Sequence, residues 1–194
     1  MKIALGGPSR SGKSVLRQRL KAALQTLAPD LHPYVLSANP DGEGAWFQEA
    51  YQQDPGGAML SKRNAKQRWS AEHADLYASW VRNITEPLTL IDLGGIVDDK
   101  NRQICALATH AILLAPRWED LAPWQEFCAE CGLTVLAELR SDYWGEADEV
   151  EGGEEPFRAS VHRLERGELT TARPAVEALA WHILGQLQGW ASRS

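Results

Sequence analysis

Gly7-Pro8-Ser9-Arg10-Ser11-Gly12-Lys13-Ser14 places two glycines, a lysine and a hydroxyl at every fixed position of the spacing G-x-x-x-x-G-K-[ST]. The chemistry this pattern serves is the binding of nucleoside triphosphate phosphates together with magnesium. Glycines allow a tight backbone turn that aims several N–H groups inward at phosphate oxygens. A helix beginning at the lysine adds the partial positive charge of its N-terminus. Lys13 is expected to bridge the terminal phosphates and Ser14 to offer its hydroxyl to Mg2+. Nucleotide contacts are therefore expected from Gly7, Pro8, Ser9, Arg10, Ser11, Gly12, Lys13, Ser14 and Val15.

A metal bound there needs a carboxylate, and Leu88-Thr-Leu-Ile-Asp92 supplies one at the end of an apolar run. A buried carboxylate is costly unless it faces a cation or donors, so Asp92 is the expected second metal ligand. Leu93 follows it, so the Asp-Glu pair with which many motor-like and ring-forming ATPases activate water is absent. The chain instead reads Asp92-Leu93-Gly94-Gly95. This resembles the D-x-x-G switch of GTPase-related and partition-type ATPases, which implies that the Gly95 amide senses the terminal phosphate. Asn39-Pro40-Asp41-Gly42-Glu43-Gly44 resembles the D-x-D-P-x-G segment of partition-type ATPases, with Ala38-Asn39 where acidic residues would stand. Asp41, then Glu43, is the candidate for positioning water or an acceptor hydroxyl; a solvated Pro-Asp-Gly turn is the alternative. The early second lysine of the partition-type loop is missing, since Gly6, Gly7 and Pro8 occupy those positions. No N-K-x-D guanine-reading motif occurs, which favours ATP over GTP.

These groups must be held by alternating elements. Lys2–Leu5 reads as a strand, Lys13–Leu27 as an amphipathic helix, and Tyr34–Ser37 as a second strand. Residues 45–82 read as mainly helical, interrupted at Asp54–Gly57. Strands are expected at Leu88–Leu93, Ala111–Ala115 and Leu133–Leu139, with helices at Asp99–Ala108 and Trp118–Cys131 between them. Glu146–Glu155 reads as an acidic solvated loop, Ser160–Leu164 as an edge strand, and Pro174–Trp190 as a closing helix. The pattern predicts one α/β domain over residues 1–194, with a mostly parallel sheet between helical layers.

Composition is that of a globular protein: 44% hydrophobic and 24% charged residues, net charge −6. That charge argues against broad binding of nucleic acid or anionic membrane. No apolar run is long enough for a membrane span and no signal-peptide pattern opens the chain, so a cytoplasmic location is expected. Three cysteines, Cys105, Cys128 and Cys131, cannot form a disulfide framework and read as buried or idle thiols. The eight tryptophans read mostly as core or lid residues. Lys62, Arg63, Lys66 and Arg68 could hold an anionic small molecule or nucleotide, or form a solvated helix face. His162-Arg163, Arg166 and Arg173 could contact the base or a neighbouring protomer, or be surface charge. Asp142-Tyr143-Trp144 could flank an adenine, and His110 reads as a local hydrogen-bonding residue.

Several stretches together resemble the P-loop ATPase-like domain joined to a CRISPR-associated ring nuclease of the cyclic-oligonucleotide pathway. They are Ala4–Ser14, Pro40–Phe47, Leu93–Gly95 and Val161–Gly167. The resemblance implies the three-layer P-loop NTPase fold and a role in antiviral defence. The expected activity is a magnesium-dependent ATPase acting on a protein partner or a homo-oligomer. A small-molecule or nucleotide kinase, and a nucleotide-binding assembly switch without turnover, remain alternatives.

Overall fold

The computed structural model describes residues 1–38, 71–151, 155–165 and 173–191. Asp41, Glu43 and the basic cluster Lys62, Arg63, Lys66 and Arg68 lie outside them, as do Arg166 and Gly167. The described chain runs β1 (Lys2–Gly6), α1 (Lys13–Leu27), β2 (Tyr34–Ala38), α2 (Ala71–Asn83), β3 (Thr89–Leu93) and α3 (Asp99–Cys105). It continues through β4 (His110–Ala115), a 3-10 turn (Trp118–Leu121), α4 (Ala122–Glu130), β5 (Thr134–Asp142), β6 (Glu149–Val150), β7 (Phe157–His162) and α5 (Pro174–Ala191).

One seven-stranded sheet has the order β2-β3-β1-β4-β5-β7-β6, and every pairing is parallel except β6 with β7. Successive strand residues point to opposite faces, and the core divides accordingly. Ile3, Leu5, Leu88, Leu90, Ile112 and Leu114 join Leu16, Leu20 and Leu24 of α1 and Val176, Leu179 and Ile183 of α5. Ala4, Ile91, Leu93, Ala111 and Leu113 join Val81 of α2, Ile104 of α3, and Trp124 and Phe127 of α4. This is the expected three-layer α/β architecture.

Three expectations need correction. Phe157–His162, which includes the expected strand at Ser160, is not an edge strand: it lies between β5 and the two-residue β6. β6 falls inside the stretch read as a solvated acidic loop, and Asp148 beside it is buried in an ion pair. The helix expected over Trp118–Cys131 is split, because Pro123 lacks an N–H and starts a new helix after the 3-10 turn. The tryptophans also divide: Trp124 is buried, but Trp80, Trp144 and Trp181 are exposed. Among the described residues no helix is long and apolar enough to cross a membrane.

Candidate functional site

The loop from Gly7 to Ser14 joins β1 to α1 at the carboxyl edge of the sheet. It turns as tightly as its glycines allow. Gly7 has φ +142°, and a Cβ there would lie 1.9 Å from the Leu114 carbonyl oxygen on β4. Arg10, exposed at the loop's crown, takes the left-handed φ of 64°, which L side chains seldom adopt. Gly12 begins α1 with no side-chain cap, so the first helical amides are left for another acceptor. Lys13 is buried and folded back: its Nζ donates to the carbonyl oxygens of Gly7 and Pro8, both at 2.8 Å. Ser11 Oγ is buried inside the loop without a hydrogen-bond partner. Val15, the second residue of α1 after Lys13, is also buried.

Strand parity explains where Asp92 points. Leu88 and Leu90 face the α1 layer, so Asp92 does too, while Leu93 faces the other layer. Asp92 is 2% exposed, and Ser14 Oγ donates to its Oδ2 at 2.7 Å. The two residues expected to serve a metal are therefore side by side. They are hard oxygen donors at a helix N-terminus, a set that fits Mg2+, which takes few protein ligands and keeps several waters. Among the described residues no cluster of three or more His, Cys, Asp or Glu could hold a metal instead.

The D-x-x-G segment packs directly on the loop. A Cβ on Gly95 would lie 2.3 Å from Ser9 Oγ and 2.4 Å from Ser9 N, so only glycine fits that approach. Asn101 on α3, which sequence reasoning missed, braces the segment. Its Nδ2 donates to the carbonyl oxygens of Ile96 at 2.7 Å and Gly94 at 3.3 Å. Asp98 caps α3 by accepting from the Asn101 N–H at 2.8 Å.

A second missed residue is Arg17, one turn after Ser14 on the same helix face. Its Nη1 donates to Ser37 Oγ at 2.6 Å and to Asp92 Oδ2 at 3.3 Å. Ser37 is the register partner of Asp92 on β2, which explains how one guanidinium reaches both. The i, i+3 spacing of Ser14 and Arg17 was the only sequence signal for it.

On the other flank, a Cβ on Gly12 would lie 3.0 Å from Leu164 Cδ1 and 3.6 Å from Ser141 Oγ. The ends of β5 and β7 thus stand beside the start of α1. Tyr143 and Trp144 follow β5, edge to face at 5.1 Å between ring centres, with Trp144 83% exposed. Tyr143 Oη donates to Glu165 Oε1 at 3.1 Å.

His162 and Arg173, read as surface charge or base contacts, are instead tied to Asp148. Arg173 donates to Asp148 Oδ1 from Nη2 at 2.6 Å and to Oδ2 from Nε at 3.1 Å, and also donates to the His162 carbonyl oxygen. His162 donates its backbone N–H to Asp148 Oδ1 at 3.0 Å, and its Nδ1 lies 2.8 Å from the same oxygen. Burial pushes the Asp148 carboxyl up, but hydrogen bonds from Arg173 and the His162 N–H outweigh it and hold it below its ordinary 3.8.

His110 opens β4 at the opposite, amino edge of the sheet and pairs through Nδ1 with Thr109 Oγ1 at 2.8 Å. Cys105 and Cys128 are buried free thiols, and burial pushes Cys128 up to about 12, where a thiolate is scarce at neutral pH.

No protein-family model matches the sequence, and no curated protein does. Solved structures match in fold. One is a candidate plasmid partition protein from Borrelia burgdorferi B31 bound to AMPPNP. It is 11% identical, with a TM-score of 0.60, over 95% of this chain and 98% of that one. Another is an apo-form GTPase from Pyrococcus abyssi, 13% identical with a TM-score of 0.45, over 73% of this chain and 66% of that one. The match over 95% of this chain at a TM-score of 0.60, with its mostly parallel seven-stranded sheet, gives this chain the α/β fold of the P-loop NTPases.

Proposed function

We propose that the chain is a magnesium-dependent, ATP-binding P-loop ATPase, a single domain over residues 1–194. The observation that carries this reading is the Ser14–Asp92 contact at 2.7 Å, made where an uncapped helix meets the glycine loop. In the proposed site the loop amides and the α1 N-terminus hold the phosphates, and Lys13 exchanges its bonds to Gly7 and Pro8 for phosphate oxygens. Ser14 and Asp92 hold Mg2+, which when bound offsets charge building on the terminal phosphoryl group. Asp41 positions the attacking water; it lies outside the described residues, so this role rests on sequence alone. Leu164, Tyr143 and Trp144 flank the base.

The experiment that tests this is incubation of the purified protein with labelled ATP and Mg2+, followed by identification of every product. ADP and phosphate in equal amounts without any added acceptor support the ATPase. Transfer of label to an acceptor would replace that reading with a kinase. Asp41→Asn is expected to lower turnover at least tenfold with ATP affinity unchanged; undiminished turnover would remove Asp41 from the mechanism.

A second reading, an assembly switch, is favoured by one contact. Gly95 sits against Ser9 so closely that a phosphate on the loop must be felt by the Gly94–Val97 segment, which exposes Ile96 and Val97. Nucleotide occupancy would then change the surface offered to a protein partner or a second copy. Nucleotide-dependent mass in light scattering without turnover would select this reading. The motif resemblance extends the proposal to a cytoplasmic accessory ATPase in CRISPR-associated antiviral defence.

A further inference from the structure

Arg17 is a buried cation that the phosphate-loop pattern does not explain. It is 8% exposed and held at two points by Nη1, on Ser37 Oγ at 2.6 Å and on Asp92 Oδ2 at 3.3 Å. The same carboxylate oxygen receives Ser14 Oγ. A guanidinium does not lose its proton in proteins, so a permanent positive charge rests on the carboxylate assigned to the metal. With the two side chains 10% and 2% exposed, water screens the pair weakly.

A free divalent cation approaching Ser14 and Asp92 therefore meets a carboxylate already neutralised. It is further opposed by the helix N-terminus and by Lys13 in the same loop. A metal–triphosphate complex meets the opposite situation. Its net charge is negative, so Lys13 and the helix end attract it, while Arg17 offsets the Asp92 charge that would otherwise repel it. Ser37 fixes the guanidinium from the neighbouring strand, so the charge stays in place before any ligand arrives.

We infer that Arg17 is a positioning residue that neutralises Asp92 in the nucleotide-free site, so that the metal enters as its complex with the triphosphate and not alone. This rests on the nucleotide-binding reading above for its biological meaning, but its physical core can be tested without nucleotide. The probe is Mn2+ titrated into the nucleotide-free full chain, with free Mn2+ followed by electron paramagnetic resonance.

Arg17→Met and Arg17→Gln are expected to bind one Mn2+ at least tenfold more tightly than wild type, about 1.4 kcal/mol. Arg17→Lys keeps the charge and should retain weak, wild-type binding. The double variant Arg17→Gln, Asp92→Asn should lose the gain. If Arg17→Met fails to fold, as judged by circular dichroism, the Gln and Lys variants decide the matter. Equal Mn2+ affinity in Arg17→Gln and wild type, including none in either, would overturn the inference and leave Arg17 a purely structural tie. Tightening that survives in the double variant would overturn it too, by moving the site elsewhere. A fluorescent ATP analogue titrated with excess Mg2+ reports separately: its failure to bind wild type would remove the nucleotide reading while the Mn2+ comparison stands.

Discussion

Among the described residues two arginine–aspartate pairs are buried, and their geometries differ in a telling way. Around Asp148 both carboxylate oxygens are occupied: Oδ1 meets Arg173 and His162, and Oδ2 meets the Nε of Arg173. Arg173 is presented edge-on as a fork, the strongest arrangement available to this pair. Around Asp92 the hydrogen bonds from Ser14 and Arg17 converge on Oδ2, and Arg17 shares its nitrogen with Ser37. The first pair is closed and ties β6, β7 and the start of α5 together. The second joins the phosphate loop to the ends of β2 and β3, and its arginine is held by one nitrogen. Burial alone therefore does not tell the two pairs apart; the bonds that Arg173 and Arg17 make to their carboxylates do.

The comparison can be broken most forcefully at the closed pair. Arg173→Met strands Asp148, whose side chain is 0% exposed, and is expected to cost about 3–5 kcal/mol in urea unfolding. ATP-analogue affinity, measured where the variant is still folded, should not change. A loss of affinity with full stability would reverse the roles assigned to the two pairs. Lys13→Ala should do the opposite, weakening nucleotide binding about 100-fold, or about 2.7 kcal/mol, with little change in unfolding midpoint. Retained ATP affinity would sink the phosphate-site assignment.

A smaller effect is expected at Gly95→Ala, whose methyl group would collide with Ser9. About tenfold weaker binding of a triphosphate, but not of a diphosphate, would show that this segment reads the terminal phosphate; equal weakening of both would show only a displaced loop. The smallest concerns acid. Because the Asp148 carboxyl is held below 3.8 when folded, its contribution to stability is complete above that value and fades as pH falls through the folded one. In Arg173→Met the burial that pushes the carboxyl up is no longer outweighed by the arginine, so acid unfolding should begin at higher pH. An unmoved acid midpoint would mean that Asp148 is not the group in question.

The phosphate loop was legible because its signal is local: Gly7 to Ser14 are contiguous, and the helix after them runs over Lys13–Leu27 as its periodicity predicts. Asp92 was legible because a carboxylate ending an apolar strand is anomalous in one dimension. Asp148 was not, since its partners lie 14 and 25 residues away and its own neighbourhood is acidic and glycine-containing. Two-residue β6 offers no period to read, and the place of β7 depends on its pairing with Ala137–Asp142. Arg17 looked like any helical arginine, because what gives it meaning is the register that sets Ser37 beside Asp92.

That register also limits how this sheet could be altered. Leu93 is 1% exposed and belongs to the cluster that includes Leu36, Ile104 and Phe127. A glutamate introduced there, to imitate the acidic pair of motor-type ATPases, would start on the face of the sheet away from Asp92. It would bring an ionisable group into an apolar layer at a cost of several kcal/mol. A descendant of this chain, natural or engineered, that acquired such a base would have to rebuild the end of β3 or recruit the group from another segment. The pleat acts as a ratchet on the chemistry this site can evolve.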